Sequence, residues 1–199
     1  MSGKWDAKYS GTDFLYGTDA NDFLVAHAAL LPRAGRILSL GEGEGRNAVY
    51  LAGLGHRVVA LDQSAVGLAK AERLAASRGV RIETCVADLA DYAVAPGPWA
   101  GIVSIWCHVP SVIRRRLLGE VVRALEPGGV FLLESYRAAQ IGRGGGGPAD
   151  PDLTPSLADL CADLAGLDIV HGLETERPVA EGVGHRGLSA VVQVVARRH

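Results

Sequence analysis

The residues best suited to chemistry in this sequence surround a glycine-rich turn. Gly41, Gly43 and Gly45 alternate with two glutamates in the stretch LSLGEGEGRNAVYLA, residues 38–52. Glycines at the carboxyl end of a first strand let a ligand approach the backbone amides at the start of the next helix. The spacing G-x-G-x-G therefore predicts a ligand site, and a tight turn that needs glycine only for structure is the alternative interpretation.

The residues around the turn argue against a ligand that carries phosphate. A dinucleotide fingerprint needs glycine or alanine where this sequence has Arg46, and no Gly-Lys-Ser/Thr of a phosphate-binding loop follows. Glu42 and Glu44 put negative charge beside the turn, which would repel a pyrophosphate and favour a cationic cofactor. S-adenosylmethionine carries a sulfonium and an ammonium group and no phosphate, so the charge pattern favours this cofactor.

Two aspartates stand where the next two predicted strands end. Asp62 ends the second strand, where a carboxylate accepts both hydroxyls of a ribose and Gln63 can assist. Asp88 ends the third strand, in VADL, where its carboxylate can accept a hydrogen bond from an adenine amino group. Either aspartate alone could be a helix N-cap. Both together, behind the glycine turn, predict a cofactor that contains a nucleoside.

These residues require a framework in which strands alternate with helices. Five β-branched runs predict strands, at residues 36–40, 57–62, 81–88, 100–107 and 129–136. Of the helical stretches between them, one is predicted to begin after Ser64 and end at Gly79, and another to begin near Pro110 and end before Gly128. The pattern predicts an α/β fold, a three-layer Rossmann-like sandwich whose mostly parallel sheet is covered by helices on both faces.

The chain is predicted to end in an antiparallel hairpin. The runs 167–178 and 187–198 are both strand-like, and the segment VAEGVGHR between them is too short for a crossover helix. We therefore predict a seven-stranded sheet whose last strand is antiparallel. Residues 1–35 are expected to form an N-terminal cap extension on the main domain, residues 36–199, within a single structural domain overall.

A glycine- and proline-rich segment follows the fifth predicted strand. Residues 142–155, GRGGGGPADPDLTP, have no periodicity and are predicted to be a mobile loop. The segment lies after the carboxyl end of the strand, where a lid over an active site would lie. A loose insertion on the surface is the alternative interpretation.

Composition and charge restrict the class of function. A net charge of −2 and a pI near 6.3 provide no long-range attraction to nucleic acid or to an anionic membrane. Cys85, Cys107 and Cys161 have neither metal-ligand nor disulfide-framework spacing, so no metal site is predicted. No run resembles a signal peptide or a membrane span. The sequence predicts a cytoplasmic protein, a monomer or homodimer, that acts on a small molecule.

Taken together, the motifs resemble the class I S-adenosylmethionine-dependent methyltransferases, and among them the small bacterial branch of tellurite-resistance and thiopurine methyltransferases. The resemblance runs from YGTDANDFL through LSLGEGEGRN, VADL, IVSIWCHVP and LEPGGVFLLESY to EGVGHRGLSAVVQVV. It implies an enzyme that methylates a thiol, a chalcogen oxyanion or a similar small acceptor, with S-adenosyl-L-methionine as cofactor and S-adenosyl-L-homocysteine as product. An RNA or protein methyltransferase, or a non-catalytic S-adenosylmethionine-binding protein, is the alternative.

The resemblance also implies which residues contact the cofactor. The glycines would line its methionine part, Asp62 would hold the ribose, and Asp88 with Leu89 would face the adenine. The predicted cofactor-binding residues are Tyr16, Gly41, Glu42, Gly43, Gly45, Arg46, Asp62, Gln63, Asp88, Leu89 and Trp106. Tyr16 would fold over the cofactor as part of the N-terminal cap, or else pack in the core.

Two positions of the turn leave questions open. Arg46 is predicted to hold the methionine carboxylate or an acidic substrate, or to form a surface ion pair with Glu42 or Glu44. The related enzymes usually begin the motif as D-L-G-C-G, whereas this chain has Ser39 and Glu42 at the positions of the acid and the cysteine. The acid missing at Ser39 would have to be replaced by one of the two glutamates.

The predicted catalytic residues are His185, Arg186 and His108. The resemblance matches His185 and Arg186 to a His-Arg pair associated with substrate handling, in which the imidazole accepts a proton and the guanidinium holds an oxyanion; an exposed turn with two polar residues is the alternative. His108, in WCHVP, is a candidate base or a histidine with one local hydrogen bond at the start of a helix. Cys107 is expected to pack at the strand end, and Arg114–Arg116 to lie on a solvated helix face.

Overall fold

The computed structural model describes residues 3–94 and 97–199, and a seven-stranded sheet forms its centre. The strands are β1 (Arg36–Leu40), β2 (Arg57–Asp62), β3 (Glu83–Val86), β4 (Trp99–Ile105), β5 (Leu125–Tyr136), β6 (Asp168–Glu181) and β7 (His185–Arg197). Their order across the sheet is β3-β2-β1-β4-β5-β7-β6. The first five strands pair in parallel, and β7 pairs antiparallel with both β5 and β6. The predicted fold class and its antiparallel last strand are confirmed.

The helices cover both faces of the sheet. They are α1 (Gly3–Tyr9), α2 (Asp22–His27), α3 (Arg46–Gly53), α4 (Ala65–Ser77), α5 (Ser111–Ala124) and α6 (Leu157–Asp163). Helices α2, α3 and α4 pack on one face and α5 and α6 on the other, each with its own apolar core. Within the described ranges, no helix is long and apolar enough to cross a membrane.

The first strand shows why the central strands consist almost entirely of apolar residues. Ile37 points into the core beneath α2–α4, whereas Leu38 and Leu40 point into the core beneath α5 and α6. Successive side chains of a strand face opposite sides of the sheet, and here both sides are covered. The run RILSL therefore predicts a central strand, and its bounds are as expected.

Local signals set both ends of α4 and the start of α5 correctly, but not the end of α5. The Ser64 hydroxyl accepts a hydrogen bond from the Gly67 amide, and Gly79 adopts a φ of +68° two residues after the helix. The predicted end of α5 near Gly128 was wrong, because the chain becomes extended at Leu125 and pairs there with Trp99. Strand β5 thus begins four residues earlier than predicted.

The closing hairpin is confirmed, and its turn is tighter than predicted. The β6–β7 ladder continues to the pair Glu181↔His185, so only residues 182–184 form the turn. His185 therefore belongs to a strand and not to an exposed turn. The β3 strand is shorter than the predicted 81–88, and helix α1 was not predicted at all. The division into a cap, residues 1–35, and a domain, residues 36–199, stays a prediction.

Candidate active site

A cleft of about 360 Å³ opens at the carboxyl ends of β1, β2 and β4. It lies where the order of the parallel strands reverses, the usual ligand site of open α/β sheets. The cleft brings together most of the predicted site residues, namely Tyr16, Gly41, Glu42, Arg46, Asp62, Gln63, Asp88, Leu89, Trp106, His108 and His185. Gly43, Gly45 and Arg186 do not line it.

Contacts within the protein already require the three glycines of the turn. Their φ angles are +63°, +64° and +94°, a conformation that favours glycine. A Cβ at each position would lie within 2.7 Å of a neighbouring side chain: Cys107 at Gly41, Tyr9 at Gly43 and Ala71 at Gly45. Only Gly41 faces the cleft, so the structural interpretation of the turn holds for the other two glycines.

Glu42 replaces the acid that is missing at Ser39. One carboxylate oxygen accepts hydrogen bonds from the backbone amides of Asn47 and Ala48, both at 3.0 Å, and the other accepts from the Ser39 hydroxyl. These amides begin α3, so the Glu42 side chain occupies the anion site at that helix N-terminus. A pyrophosphate would find the amides already bonded, which fits a cofactor without phosphate.

Glu44 does not leave free negative charge beside the turn, contrary to the prediction. Its carboxylate pairs with the Lys70 ammonium at 2.5 Å and accepts from the Leu15 amide at 2.8 Å. Both charged side chains are buried. Glu44 therefore adds little to the expected repulsion of pyrophosphate, whereas Glu42 acts through the α3 amides that it already bonds.

Asp62 joins the turn to the second strand. Its two carboxylate oxygens accept hydrogen bonds at 2.8 Å from the amides of Gly43 and Ser64, and its side chain lines the cleft. Burial raises the pKa of Asp62, and the backbone donors oppose that rise. Each oxygen keeps a lone pair that can accept a hydroxyl group from the cleft.

The loop after β3 presents the second aspartate. Asp88 is exposed and caps its own turn by accepting from the Ala90 amide at 2.9 Å, while the neighbouring Leu89 is buried. Arg116, from α5, donates to the backbone carbonyls of Leu89, Ala90 and Tyr92 and thereby holds this loop. The loop's geometry thus depends on a helix that follows it in sequence.

The arginine cluster 114–116 is not the solvated helix face that was predicted. Besides the contacts of Arg116, the Arg114 guanidinium forms an ion pair with Asp163 at 2.8 Å, and both side chains are nearly buried. Arg115 alone is exposed. Helix α6 packs against α5 at this point, so part of the arginine run that the sequence suggested would be exposed lies against the interior.

Arg46 is buried and its partner lies far along the chain. Its guanidinium forms an ion pair with Glu181 and donates to the Asp19 carbonyl at 3.2 Å. The alternative of a surface ion pair with Glu42 or Glu44 was therefore wrong. Glu181 was not predicted as a site residue. It is distant in sequence from the glycine turn, and only the long β6–β7 hairpin places it next to the cleft.

Glu181 is the centre of a buried polar network beneath the cleft. It also accepts hydrogen bonds from Asn21 at 2.8 Å, from the Trp106 indole at 2.6 Å and from Arg177 at 3.3 Å. Burial alone would raise the pKa of Glu181, but the Arg46 ion pair and the hydrogen bonds lower it below its ordinary value. Arg177 continues the network to the buried Glu134.

Two neutral imidazoles form part of the cleft wall. The ring of His185 lies 4.4 Å from that of Tyr16 and 5.1 Å from that of Trp106, centre to centre, and within the described part of the chain its Nδ1 has no hydrogen-bond partner. Burial lowers the pKa of His185 to about 3 and that of His108 to about 4. His108 Nε2 accepts a long hydrogen bond, 3.4 Å, from the amide of Tyr136 in β5, so its partner is not the local one that was considered above.

Arg186 lies away from the cleft. Its guanidinium is exposed and donates to the Gly182 carbonyl at 2.5 Å. Since alternate residues of a strand face opposite sides, the orientation that turns His185 inward turns Arg186 outward. The position does not support the predicted oxyanion-holding role. Cys107 packs against Gly41 as expected, and burial raises the pKa of its thiol to about 12.

Helix α1 is the part of the cleft that the sequence analysis missed. Lys4, Trp5, Lys8 and Tyr9 line one side of the cleft. The Trp5 and Tyr9 rings stack with centres 5.6 Å apart, and Tyr9 packs on the glycine turn. The i, i+4 spacing of these two aromatic residues is a helix signal that could have revealed α1.

The glycine-rich segment closes the opposite side. Gly147, Pro148 and Leu153 line the cleft, and the Gly145 carbonyl accepts a hydrogen bond from the Arg186 amide at 2.8 Å. The segment therefore lies against the hairpin turn and the cleft. Its function as a lid stays a prediction.

Comparisons with known proteins agree with this geometry. Residues 37–129 match the family described as "Methyltransferase domain". The 2-heptyl-1-hydroxyquinolin-4(1H)-one methyltransferase of Mycobacteroides abscessus is 30% identical over 137 residues, which are 67% of this chain and 60% of that protein. The chain thus spans less than two thirds of the curated relative that it matches.

Solved structures share the fold over the whole chain. TehB from Haemophilus influenzae matches with a TM-score of 0.72 and 19% identity, covering 100% of this chain and 67% of that one. A TehB-like S-adenosylmethionine-dependent methyltransferase from Corynebacterium glutamicum matches with a TM-score of 0.61 and 21% identity, covering 99% and 95%. Residues 37–129 of this chain thus match a methyltransferase domain, within a fold that the chain shares with solved S-adenosylmethionine-dependent methyltransferases.

Proposed function

We propose that this chain transfers a methyl group from S-adenosylmethionine to a small acceptor: a thiol, a chalcogen oxyanion or an acidic hydroxyl. The observation that carries the proposal is the composition of the cleft. The carboxylates of Asp62 and Asp88 lie on one side, and the buried imidazole of His185, whose Nδ1 lies 4.0 Å from a carboxylate oxygen of Glu181, lies on the other. The α1 helix and the segment 142–155 border the same space, which favours a small acceptor over a macromolecule.

The cofactor half of the proposal assigns contacts to residues of the turn and the strand ends. Bound S-adenosylmethionine supplies a methyl group that its sulfonium has already activated. Asp62 would accept the ribose hydroxyls, with Gln63 beside it, and Asp88 with Leu89 would face the adenine. Arg46, held by Glu181, would donate to the methionine carboxylate. The Gly41 backbone would lie along the methionine part.

The acceptor half concerns Tyr16, Trp106, His108 and His185. These rings would shape a water-poor space next to the methyl group, which aligns the acceptor for an in-line displacement. His185 and His108 are neutral near pH 7, so neither would repel the sulfonium. The curated relative is named for a hydroxylated quinolone, and that name supports a small acceptor here too.

The purified chain tests this proposal directly. S-adenosylhomocysteine release is followed with thiols, tellurite, selenite and small phenols as acceptors, and calorimetry measures the binding of S-adenosylmethionine. We expect turnover with at least one small acceptor. Turnover with RNA or protein substrates alone would favour the macromolecular alternative, and binding without any turnover would favour a non-catalytic protein.

A further inference from the structure

Helix α1 carries a cation of the cleft that lacks an acidic partner. The Lys8 ammonium donates to the Tyr16 hydroxyl at 2.7 Å and lies 4.6 Å from the centre of the Trp5 ring. Among residues 3–94 and 97–199, no carboxylate oxygen lies within 4.0 Å of Lys8 or of its neighbour Lys4. Lys8 keeps further N–H donors for a ligand, since an ammonium has three.

The buried charged groups of the cleft, in contrast, have ion-pair or hydrogen-bond partners within the protein. Glu44 pairs with Lys70, and Arg46 pairs with Glu181. Glu42 is bonded to the amides that begin α3. Lys8 thus differs from these groups because it presents a positive charge to the cleft without a carboxylate that neutralises it.

Lys8 also lies on the acceptor side of the cleft. The Tyr16 ring to which it donates contacts the His185 ring, with centres 4.4 Å apart. Burial is the main cause of the low pKa values of His185 and His108, and the charge of Lys8 lowers both further. An imidazole with a pKa of about 3 is a weak base for a thiol or a phenol at neutral pH. An acceptor that is already ionised needs a cation beside it and no base.

We propose, resting on the proposed function, that Lys8 is the group that recognises the acceptor and that the acceptor binds as an anion. The class comprises phenolates, thiolates and chalcogen oxyanions, which share a negative charge on the attacking atom or on an oxygen bonded to it. That atom forms a bond to the methyl carbon, the carbon–sulfur bond of the sulfonium breaks, and its electron pair stays on sulfur. No proton has to move. Lys8 takes the oxyanion-holding role that the sequence predicted for Arg186.

The binding test uses 4-nitrophenol, whose phenolate absorbs visible light, with S-adenosylhomocysteine present. We expect the parent chain to bind the phenolate and to raise its absorbance near neutral pH. Lys8→Met should weaken this binding by about tenfold or more, because a hydrogen bond to a charged group is lost. Lys8→Arg keeps the charge and should restore binding to within about threefold. Arg73→Met is the control: it removes an exposed cation of α4 that does not line the cleft, and it should change binding by less than about twofold.

Competition separates the acceptor chemistries. Tellurite and pentafluorobenzenethiolate are added to the phenolate complex, and the stronger competitor identifies an oxyanion or a thiolate site. Equal binding by the parent and Lys8→Met, equal losses in Lys8→Met and Arg73→Met, or a loss of S-adenosylhomocysteine affinity in Lys8→Met would overturn the inference. Lys8-dependent phenolate binding without methyl transfer to any acceptor would instead reject the proposed function and leave the anion site standing.

Discussion

Glu181 shows how much of the cleft depends on one side chain. It lies at the end of β6 and meets Arg46 from α3, Trp106 from the end of β4 and Asn21 from the segment before α2. A buried charge that serves several donors is costly to remove, because each donor is left without its acceptor. The carboxylate therefore ties the hairpin to the cofactor side of the cleft.

Replacing Glu181 should destabilise the fold strongly. We expect Glu181→Gln to lower the free energy of unfolding by about 3 kcal/mol, because the Arg46 guanidinium would stay buried without a counter-charge. Urea denaturation measures this change. Glu176→Gln is the control, since Glu176 forms an exposed ion pair with Arg143 and should change stability by less than about 0.5 kcal/mol. Equal losses in both variants would contradict the importance of the network.

His185 should make stability depend on pH. Burial lowers its pKa from 6.5 to about 3, so between these values the unfolded chain binds the proton and the folded chain does not. The contribution of His185 to the free energy of unfolding should therefore be complete above pH 6.5. It should decrease as the pH falls, by at most about 1.4 kcal/mol per pH unit.

The measurement compares urea denaturation at about pH 5 and pH 7. His185→Asn should have a smaller difference between the two conditions than the parent chain. Leu188→Asn is the control: Leu188 is exposed on the same strand and has no titratable group, so the difference should stay unchanged. A parent-like difference in His185→Asn would show that His185 is not the group that titrates.

At the scale of elements, glycines of the segment 142–155 lie against the hairpin turn and Tyr136, although most of the segment is exposed. Gly144 and Gly145 have almost the same φ, +75° and +77°. A Cβ at Gly144 meets nothing, whereas one at Gly145 would lie 2.0 Å from the Arg186 carbonyl oxygen. The run of glycines thus lets this backbone approach the hairpin turn.

The two glycines provide a matched test of the lid prediction. Alanine at either position costs about 1–2 kcal/mol for the left-handed conformation, but only Gly145→Ala should push the segment away from the hairpin. We expect Gly145→Ala to reduce methyl transfer on the order of tenfold through misplaced contacts, and to speed proteolysis within residues 142–155. Gly144→Ala should do neither. Identical behaviour of the two variants would reject the lid.

At the scale of the whole molecule, cofactor binding should couple to global stability. The cleft is built from α1, the turn after β1, the ends of β2 and β4, the loop after β3 and the β6–β7 hairpin. A ligand that bridges these elements binds the folded chain and not the unfolded one. Its binding energy therefore adds to the free energy of unfolding.

Thermal denaturation tests this coupling. S-adenosylmethionine or S-adenosylhomocysteine at 100 times its dissociation constant should add about 2.7 kcal/mol. For a chain of this size, that corresponds to an increase in Tm of about 5–10 °C. NAD⁺ should leave Tm unchanged, since Glu42 already occupies the amides at the start of α3. A shift with NAD⁺ and none with S-adenosylmethionine would contradict the phosphate-free assignment.

Local patterns predicted the frame of the fold well. The bounds of β1 and β2, the cap of α4 by Ser64 and the closing hairpin follow from periodicity, capping residues and loop length. The errors arose where a non-local contact overrode the local signal. Strand β5 begins early because Leu125 pairs with Trp99, and the arginines of α5 are drawn inward by Asp163 and the loop after β3.

The sequence by itself determined the parallel sheet, the glycine turn and the aspartates that follow its strands, because these features depend on residues close together along the chain. Only the tertiary structure decided which charged side chains of the cleft are paired with an opposite charge. Glu44 is neutralised by Lys70 and Arg46 by Glu181, whereas, within residues 3–94 and 97–199, Lys8 has no carboxylate beside it. Ion pairs form between side chains that folding brings together from distant elements, and the strand register that turns His185 inward also turns Arg186 away.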